Sequence, residues 1–458
     1  MLRALGEFVS TLGESSLPAE VWHAAKRSLI DWFAAVIPGA AVAPTTLLVR
    51  VLEEEIGHGG SRLYPSGQRA TVRAAALING TAAHAVEFDD IFRDGMVHPG
   101  APVIAAALAV ADARHQSGVM LLRSIVAGYE VATRMAVALG PAHYRFWHTT
   151  GTVGTLGAAA AAAGCIALAP DRTAHALANA ATFAAGLQQA FRSDSMSKPL
   201  HAGRAAESGT LAAIAAEEGI TGAHDVLDGP AGLGAAMSGG TADWSHAMDG
   251  LGERYDITRI TVKNHGCCGH TFAAIDGTLV LRKDHSLTAD NVDTIAVATY
   301  QTALDVTGNA HPITSAEARF SLPYVVSTAL VHGSVRLDAF SQDRLADPAV
   351  RRLMQRITVS VDPALDALFP RQRAARVTVR MRTGHLFEHL QTTRKGDPDA
   401  PLSDDELAGK FRELTAPVLG ASGTERLLSA LWAAERAESP RAWLEPVRVA
   451  TGVAGAGP

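Results

Sequence analysis

Four short segments bring together residue types that can move protons or hold anions. The first is His84-Ala-Val-Glu87-Phe-Asp89-Asp90, followed by a loop to His98-Pro99-Gly100. Three acids close an apolar helix, where the macrodipole disfavours anions by about 0.3–1 kcal/mol each, so helix propensity does not account for them. At i,i+3, His84 and Glu87 share a face, as do Glu87 and Asp90. A charged helix end is the plain reading; an acid/base cluster at a pocket mouth is the functional one.

The second segment is Tyr144-Arg-Phe-Trp147-His148-Thr149-Thr150. His148 and Thr149 stand before an alanine-rich helix whose free N–H groups could hold an anion, although a histidine among aromatics is equally a packed residue. The third is Lys198-Pro199-Leu-His201-Ala-Gly-Arg204. A lysine before proline is expected to be extended, which places Lys198, His201 and Arg204 ahead of a helix over 205–218. Cations disfavoured by that dipole, together with its free N–H groups, would trap a carboxylate or phosphate. The fourth pairs Asn264-His265-Gly-Cys-Cys-Gly-His270 with Ala318-Arg319-Phe-Ser321-Leu-Pro-Tyr324. Adjacent Cys267 and Cys268 cannot easily turn to one tetrahedral ion, and there is no further Cys pair, so no metal is expected there. Tyr324 alone would read as core; Arg319 and Ser321 leave room for a polar site.

The elements that must position these segments are mostly helical. Val21, Ala25, Leu29, Trp32 and Val36 repeat on one face, and Pro38-Gly39 ends that helix. A nearly all-apolar helix is expected over 70–90, and alanine-rich helices over 101–113, 119–139, 151–168, 172–190 and 204–218. Alternation begins at Arg259–Asn264, and strands are expected at Val292–Tyr300, 357–361 and 377–382. Thr383-Gly384 then turns into a strand over His385–Thr392. Helical patterns over 315–331 and 343–354 separate the strands. Ser403 and Glu406 form a capping box for a helical return to about Val447. The fold class expected is mostly α with an α+β second domain. Residues 1–257 begin a helical domain, 258–400 form an α+β lid, 401–447 return to the helices, and 448–458 are a disordered tail.

Composition excludes several classes. The 40 Lys+Arg against 46 Asp+Glu give a charge of −6, the wrong sign for a nucleic-acid binder. Three cysteines cannot form a disulfide framework, which favours a reducing compartment. Glu7 and Glu14 interrupt the N-terminal apolar run, so no secretory signal is expected. The uncharged stretch 151–169 is Gly-, Ala- and Thr-rich, a buried helix and not a membrane span. A cytoplasmic protein is expected. Gly151-x-x-Gly154-x-x-Gly157 is not a dinucleotide fingerprint, because its spacing is wrong and no strand leads into it.

Taken in order, HAVEFDD…HPGAPVIAAALAVAD, GYEVATRM…WHTTGTVGTLG, SKPLHAGRAAESGTLAAIAAEEGITG, KNHGCCGHTFAAIDG, SAEARFSLPYVVSTALVHG and LSDDELAGKFREL resemble the MmgE/PrpD family over most of residues 15–420. That family holds 2-methylcitrate dehydratase, cis-aconitate decarboxylase and iminodisuccinate epimerase. The resemblance implies a large helical domain, an α+β domain over the pocket, a homodimer, and neither metal nor organic cofactor. Its site positions fall on Glu87, Asp89, Asp90, His98, His148, Lys198, His270 and Tyr324, with His265 competing with His270. The cis-aconitate decarboxylase pattern has Asp at position 87 and Thr at position 91, where this chain has Glu87 and Ile91.

These reactions share charge at a carbon α to a carboxylate, which preorganised cations and donors stabilise. Lys198 and Arg204 would bind carboxylates of a small anionic di- or tricarboxylate, with His201, Thr149, His265 and Asp89 completing the binding set. His98 and His148 are acid/base candidates, His270 and Tyr324 donors, and Glu87 or Asp90 would orient a histidine. Elimination of water is the first reading. Decarboxylation, epimerisation and a non-catalytic relative are the alternatives.

Overall fold

The computed structural model describes residues 1–12, 17–192 and 195–443. The expected tail at 448–458, the last residues of the C-terminal return (444–447) and Glu14 lie outside the described residues.

Two hydrophobic cores organise the chain. The larger draws on Leu2 to Val262 and again on Leu402 to Trp443. Its main helices are α1 (Leu2–Thr11), α2 (Ala19–Gly39), α3 (Val72–Ala85), α4 (Gly100–Arg114), α5 (Gly118–Tyr144), α6 (Thr149–Ile166), α7 (Pro170–Phe183) and α8 (Ser197–Glu217). The smaller core draws on residues between Cys267 and Val379. Here α9 (Phe272–Asp284) and α10 (Leu322–His332) pack with a four-stranded sheet: β1 (Val292–Thr299), β2 (Ile357–Val361), β3 (Ala375–Met381) and β4 (Leu386–Gln391). Their order is β2-β1-β3-β4. β1 runs parallel to β2, with Ile295 opposite Ile357, and antiparallel to β3, with Val297 opposite Val377. Finally α11 (Asp404–Trp432) returns to the helical core. The molecule is thus mostly α, with a smaller α+β part.

Small residues let the site-bearing helices approach closely. A Cβ on Gly203 of α8 would lie 2.3 Å from the Leu77 carbonyl oxygen of α3, and one on Gly209 would lie 2.5 Å from that of Thr155 on α6. α8 is therefore wedged between α3 and α6, where a larger side chain would force the backbones apart. The alanine excess is the packing surface of these helices. α6 is buried throughout except near its C-terminal end. Among the described residues no helix is long and apolar enough to cross a membrane.

Several helix limits differ from the sequence expectations, and the differences matter for the site. α3 stops at Ala85, so Glu87, Asp89 and Asp90 lie beyond it in a loop and not along its face. Glu87 sits at φ +58°, a left-handed conformation that costs a non-glycine residue about 1 kcal/mol. Conversely, Lys198 is helical and not extended. α8 begins at Ser197, and Pro199 falls in its first turn, where no N–H is needed. Arg259–Asn264 forms no strand; a single bridge joins Thr261 to Ile91, and Lys263 turns inward.

Candidate functional site

The loop after α3 is held from three sides. The Asp90 carboxylate accepts hydrogen bonds from the Tyr129 hydroxyl (2.6 Å) and the Gly100 N–H (3.0 Å), tying the loop to α5 and the start of α4. The Lys410 ammonium on α11 donates to Asp31 (2.6 Å) and to the Phe88 carbonyl (2.8 Å). The Arg319 guanidinium donates to the carbonyls of Val86 (2.7 Å) and Gly266 (2.5 Å). These contacts fix the unusual backbone at Glu87 between the two cores.

Two lysines converge on Glu87. Lys198 pairs with one carboxylate oxygen. Lys263 donates to the other at 3.0 Å and to the Glu87 carbonyl at 3.0 Å. Burial alone would raise the Glu87 pKa, but the two ammonium groups outweigh it and hold the carboxyl well below its ordinary range. Lys263 is fully buried; burial lowers its pKa, and Glu87 and Asp89 more than restore it.

Beside this node lies a histidine cluster. One Asp89 oxygen is 2.6 Å from His84 Nδ1 and 3.2 Å from His98 Nδ1. The His84 ring lies 4.8 Å from that of His98 and stacks 5.5 Å from that of His148. His148 Nδ1 lies 3.1 Å from His201 Nδ1, so one of the pair donates and the other accepts. Burial pushes His98 down to about 4, and burial with the nearby His84 and Lys198 charges pushes His201 there as well. His148 is held well below its usual value by burial, then by His84, Lys198 and its other neighbours. At neutral pH these three imidazoles are uncharged, and each can accept a proton. Asp89 is held low by His84 and His98 against its burial. Burial, helped by Asp31 and Asp89, raises Asp90 to about 7.

Two cavities meet at this point. An inner one of about 40 Å³ is lined by Glu87, His98, Tyr144, His148, Lys198 and Lys263, among others. An outer cleft of about 1310 Å³ shares Glu87, Lys198, Val306 and Phe320 with it and runs between the two cores. The inner space is far smaller than the outer cleft.

The structure therefore brings Glu87, Asp89, His98, His148, Lys198 and His201 together with His84. Other expected residues lie elsewhere. Asp90 anchors the loop. Arg204 follows Lys198 by six helical positions, about 120° round the helix, and pairs on the outside with Glu207. Tyr324 is in the smaller core, its hydroxyl donating to the Ala339 carbonyl at 2.5 Å. His265 Nε2 is 2.8 Å from Asp276. His270 Nδ1 is 2.8 Å from the Tyr300 hydroxyl, and His270 is not among the residues lining the inner cavity. Thr149 is buried, and its hydroxyl has no hydrogen-bond partner. Sequence reasoning missed Lys263. A signal existed: the chain has only six lysines against 34 arginines, and Lys198, Lys263 and Lys410 are three of them.

Two groups among the described residues could offer three metal ligands within 4.8 Å of one another: His84, Asp89 and His98 in the cluster, and Asp171, His175 and His224 near the surface. In the first group His84 Nδ1 already hydrogen-bonds to Asp89, while the buried His98 Nδ1, 3.2 Å from the same oxygen, makes no hydrogen bond.

Comparison with known proteins adds to this geometry. Residues 3–245 match the MmgE/PrpD N-terminal domain, and residues 265–435 match the MmgE/PrpD C-terminal domain. A cis-aconitate decarboxylase-like protein of Aspergillus oryzae is 28% identical over 447 residues, 92% of either chain. The cis-aconitate decarboxylases of human and mouse are each 27% identical. The human alignment covers 93% of this chain and 91% of that protein. The mouse alignment covers 81% and 79%.

Proposed function

The chain belongs to the MmgE/PrpD family, and we propose that it is a lyase acting on a small di- or tricarboxylate at a carbon α to a carboxylate. The observation that carries this reading is the pair of buried lysines on Glu87 beside three uncharged histidines. A carboxylate arriving from the outer cleft would take the place of the Glu87 carboxylate on Lys198 and Lys263. The inner cavity would widen as that contact opens.

Loss of CO₂ from an unsaturated tricarboxylate is the reading placed first, supported by the names of the three relatives. As the bond to the departing carboxylate breaks, its electron pair passes through the adjoining double bond to the carbon α to a remaining carboxylate. The two ammonium groups would stabilise the enolate-like charge there. That carbon then takes a proton from a histidine. His98 is uncharged in the free protein, but a bound polyanion raises its affinity for a proton, so the proton arrives with the substrate. Asp89 would orient His84 through its hydrogen bond, and would hold His98 by charge once that ring carries the proton.

Elimination of water is the second reading. Uncharged His98 and His148 facing one cavity favour it, because either could remove the α-proton of a hydroxy acid. Incubating the protein with unsaturated and hydroxy di- and tricarboxylates, followed by mass spectrometry, separates the two. Loss of CO₂ is expected from an unsaturated acid. Loss of water from a hydroxy acid with no CO₂ would replace the first reading by the second, and an unchanged panel would remove both. A homodimer is part of the proposal: light scattering is expected to give about twice the 47.8 kDa of the chain, and a monomer would contradict it.

A further inference from the structure

A second concentration of buried charge lies outside the node. The Phe369 ring organises it. Tyr300 stacks on Phe369 at 4.8 Å, the His270 ring lies 6.2 Å away, and the Arg373 guanidinium sits 5.7 Å from the ring centre. Arg373 is 5% exposed. One of its nitrogens donates to the Arg93 carbonyl at 2.9 Å, while its buried Nε has no hydrogen-bond partner.

The neighbouring Arg394 is also buried, but it is matched: Asp397 accepts from it at 2.6 and 2.8 Å. That carboxylate is further engaged by Thr261 and lies 3.6 Å from Arg93. Among the described residues no carboxylate pairs with Arg373. A buried guanidinium without a counter-charge is costly, and its fork of donors matches a carboxylate. The site is also adjacent to the inner cavity. Tyr144, Cys268 and Gly269 line that cavity, and the Tyr144 hydroxyl feels both Arg373 and Glu87.

We propose that Arg373, with Tyr300 and His270 around Phe369, is the seat for a second carboxylate of the substrate, while the first sits on Lys198 and Lys263. This rests on the polycarboxylate reading above and deepens it: the residue on the smaller core selects acids carrying a further carboxylate. Such an acid bridges the two cores, and binding at both seats would draw them together over the reacting carbon. It also gives Tyr300 a role as hydrogen-bond donor to that carboxylate, away from the reacting bond, with His270 Nδ1–H donating to the Tyr300 oxygen and fixing its direction.

The test compares two acids, a tricarboxylate that the wild type turns over and its analogue with one carboxylate replaced by hydrogen or a methyl ester. Arg373→Gln is expected to raise KM for the tricarboxylate at least tenfold and to leave the analogue nearly unchanged, so that the preference between the two collapses. Arg373→Lys should restore part of it. An equal loss on both acids would mean that Arg373 only braces the fold, and would overturn the seat while leaving the lyase reading intact. If Arg373→Gln does not fold, Tyr300→Phe carries the same comparison: a selective rise in KM for the tricarboxylate supports the seat, and no selective change overturns it. A wild type that neither binds nor converts any polycarboxylate would remove both readings.

Discussion

Glu87 is where the chemistry and the backbone meet. Its left-handed conformation points its carboxylate and its carbonyl toward Lys263, and Lys198 closes the other side. Removing either ammonium, by Lys198→Ala or Lys263→Met, is expected to lower kcat/KM by about 10²–10³-fold, the scale of losing one oriented charge-stabilising donor. Steady-state kinetics on any converted acid would show it. The low pKa values of His98 and His201 imply a second outcome, since both are uncharged in the free protein above about pH 4. A bound polyanion raises them, so binding should take up protons and tighten as pH falls from 8 to 6. Calorimetry in buffers of different ionisation enthalpy measures this, and pH-independent binding without proton uptake would contradict it. Asp90 gives a third. Its folded value of about 7 lies above that of an unfolded aspartate, so the stability it contributes is complete below about pH 4 and is lost as pH rises through 7. Asp90→Asn should flatten the decline in urea-measured stability between pH 5 and 8. The histidines, acids and Lys198 were legible in the sequence because their types are out of place on apolar helices. Lys263 and Arg373 were not, because a cation outside the apolar helices reads like any exposed one until the fold closes around it.

At the scale of elements, the site depends on where helices stop and how closely they approach. Gly203 allows α8 to lie against α3, and α8 carries Lys198 and His201 in its first two turns. Gly203→Val should therefore destabilise by about 1–3 kcal/mol or more and shift those side chains, lowering the melting temperature and activity together. The buried Asp31–Lys410 pair joins α2 to α11 and holds the Phe88 carbonyl. Lys410→Met should cost about 3–5 kcal/mol near neutral pH, read from urea titration. That loss should shrink in acid, because Asp31, already raised by its burial, takes up a proton. The repeating apolar faces and the β-hairpin at Thr383-Gly384 were readable from periodicity. The ends of α3 and α8 were not. The acids after Ala85 suggested a helix continuing to Asp90, and Lys198-Pro199 suggested extended chain. The two cases have different reasons: Glu87 lies beyond the helix end with its carboxylate on two lysines from distant segments, and a proline in the first turn needs no N–H and leaves α8 undisturbed.

For the whole molecule, the central feature is a polar node buried between a large helical core and a smaller α+β core. We propose that these cores correspond to the domains expected at 1–257 with 401–447 and at 258–400. The returning helix was legible from the capping box at Ser403 and from the lack of any other core for it to join. That the node would lie between the cores could not be read along the chain, because Lys263, Arg319 and Glu87 are distant in sequence and meet only on folding. The overall charge of −6 does not describe this interior, where buried lysines meet buried carboxylates one for one. The most direct measurement is conversion of an unsaturated tricarboxylate in D₂O by the wild type and by Lys198→Ala, followed by mass spectrometry. The wild type should release CO₂ and leave one carbon-bound deuterium in the product, with the variant at least a hundredfold slower. Equal rates for the two proteins, or a wild type that releases no CO₂, would contradict the account.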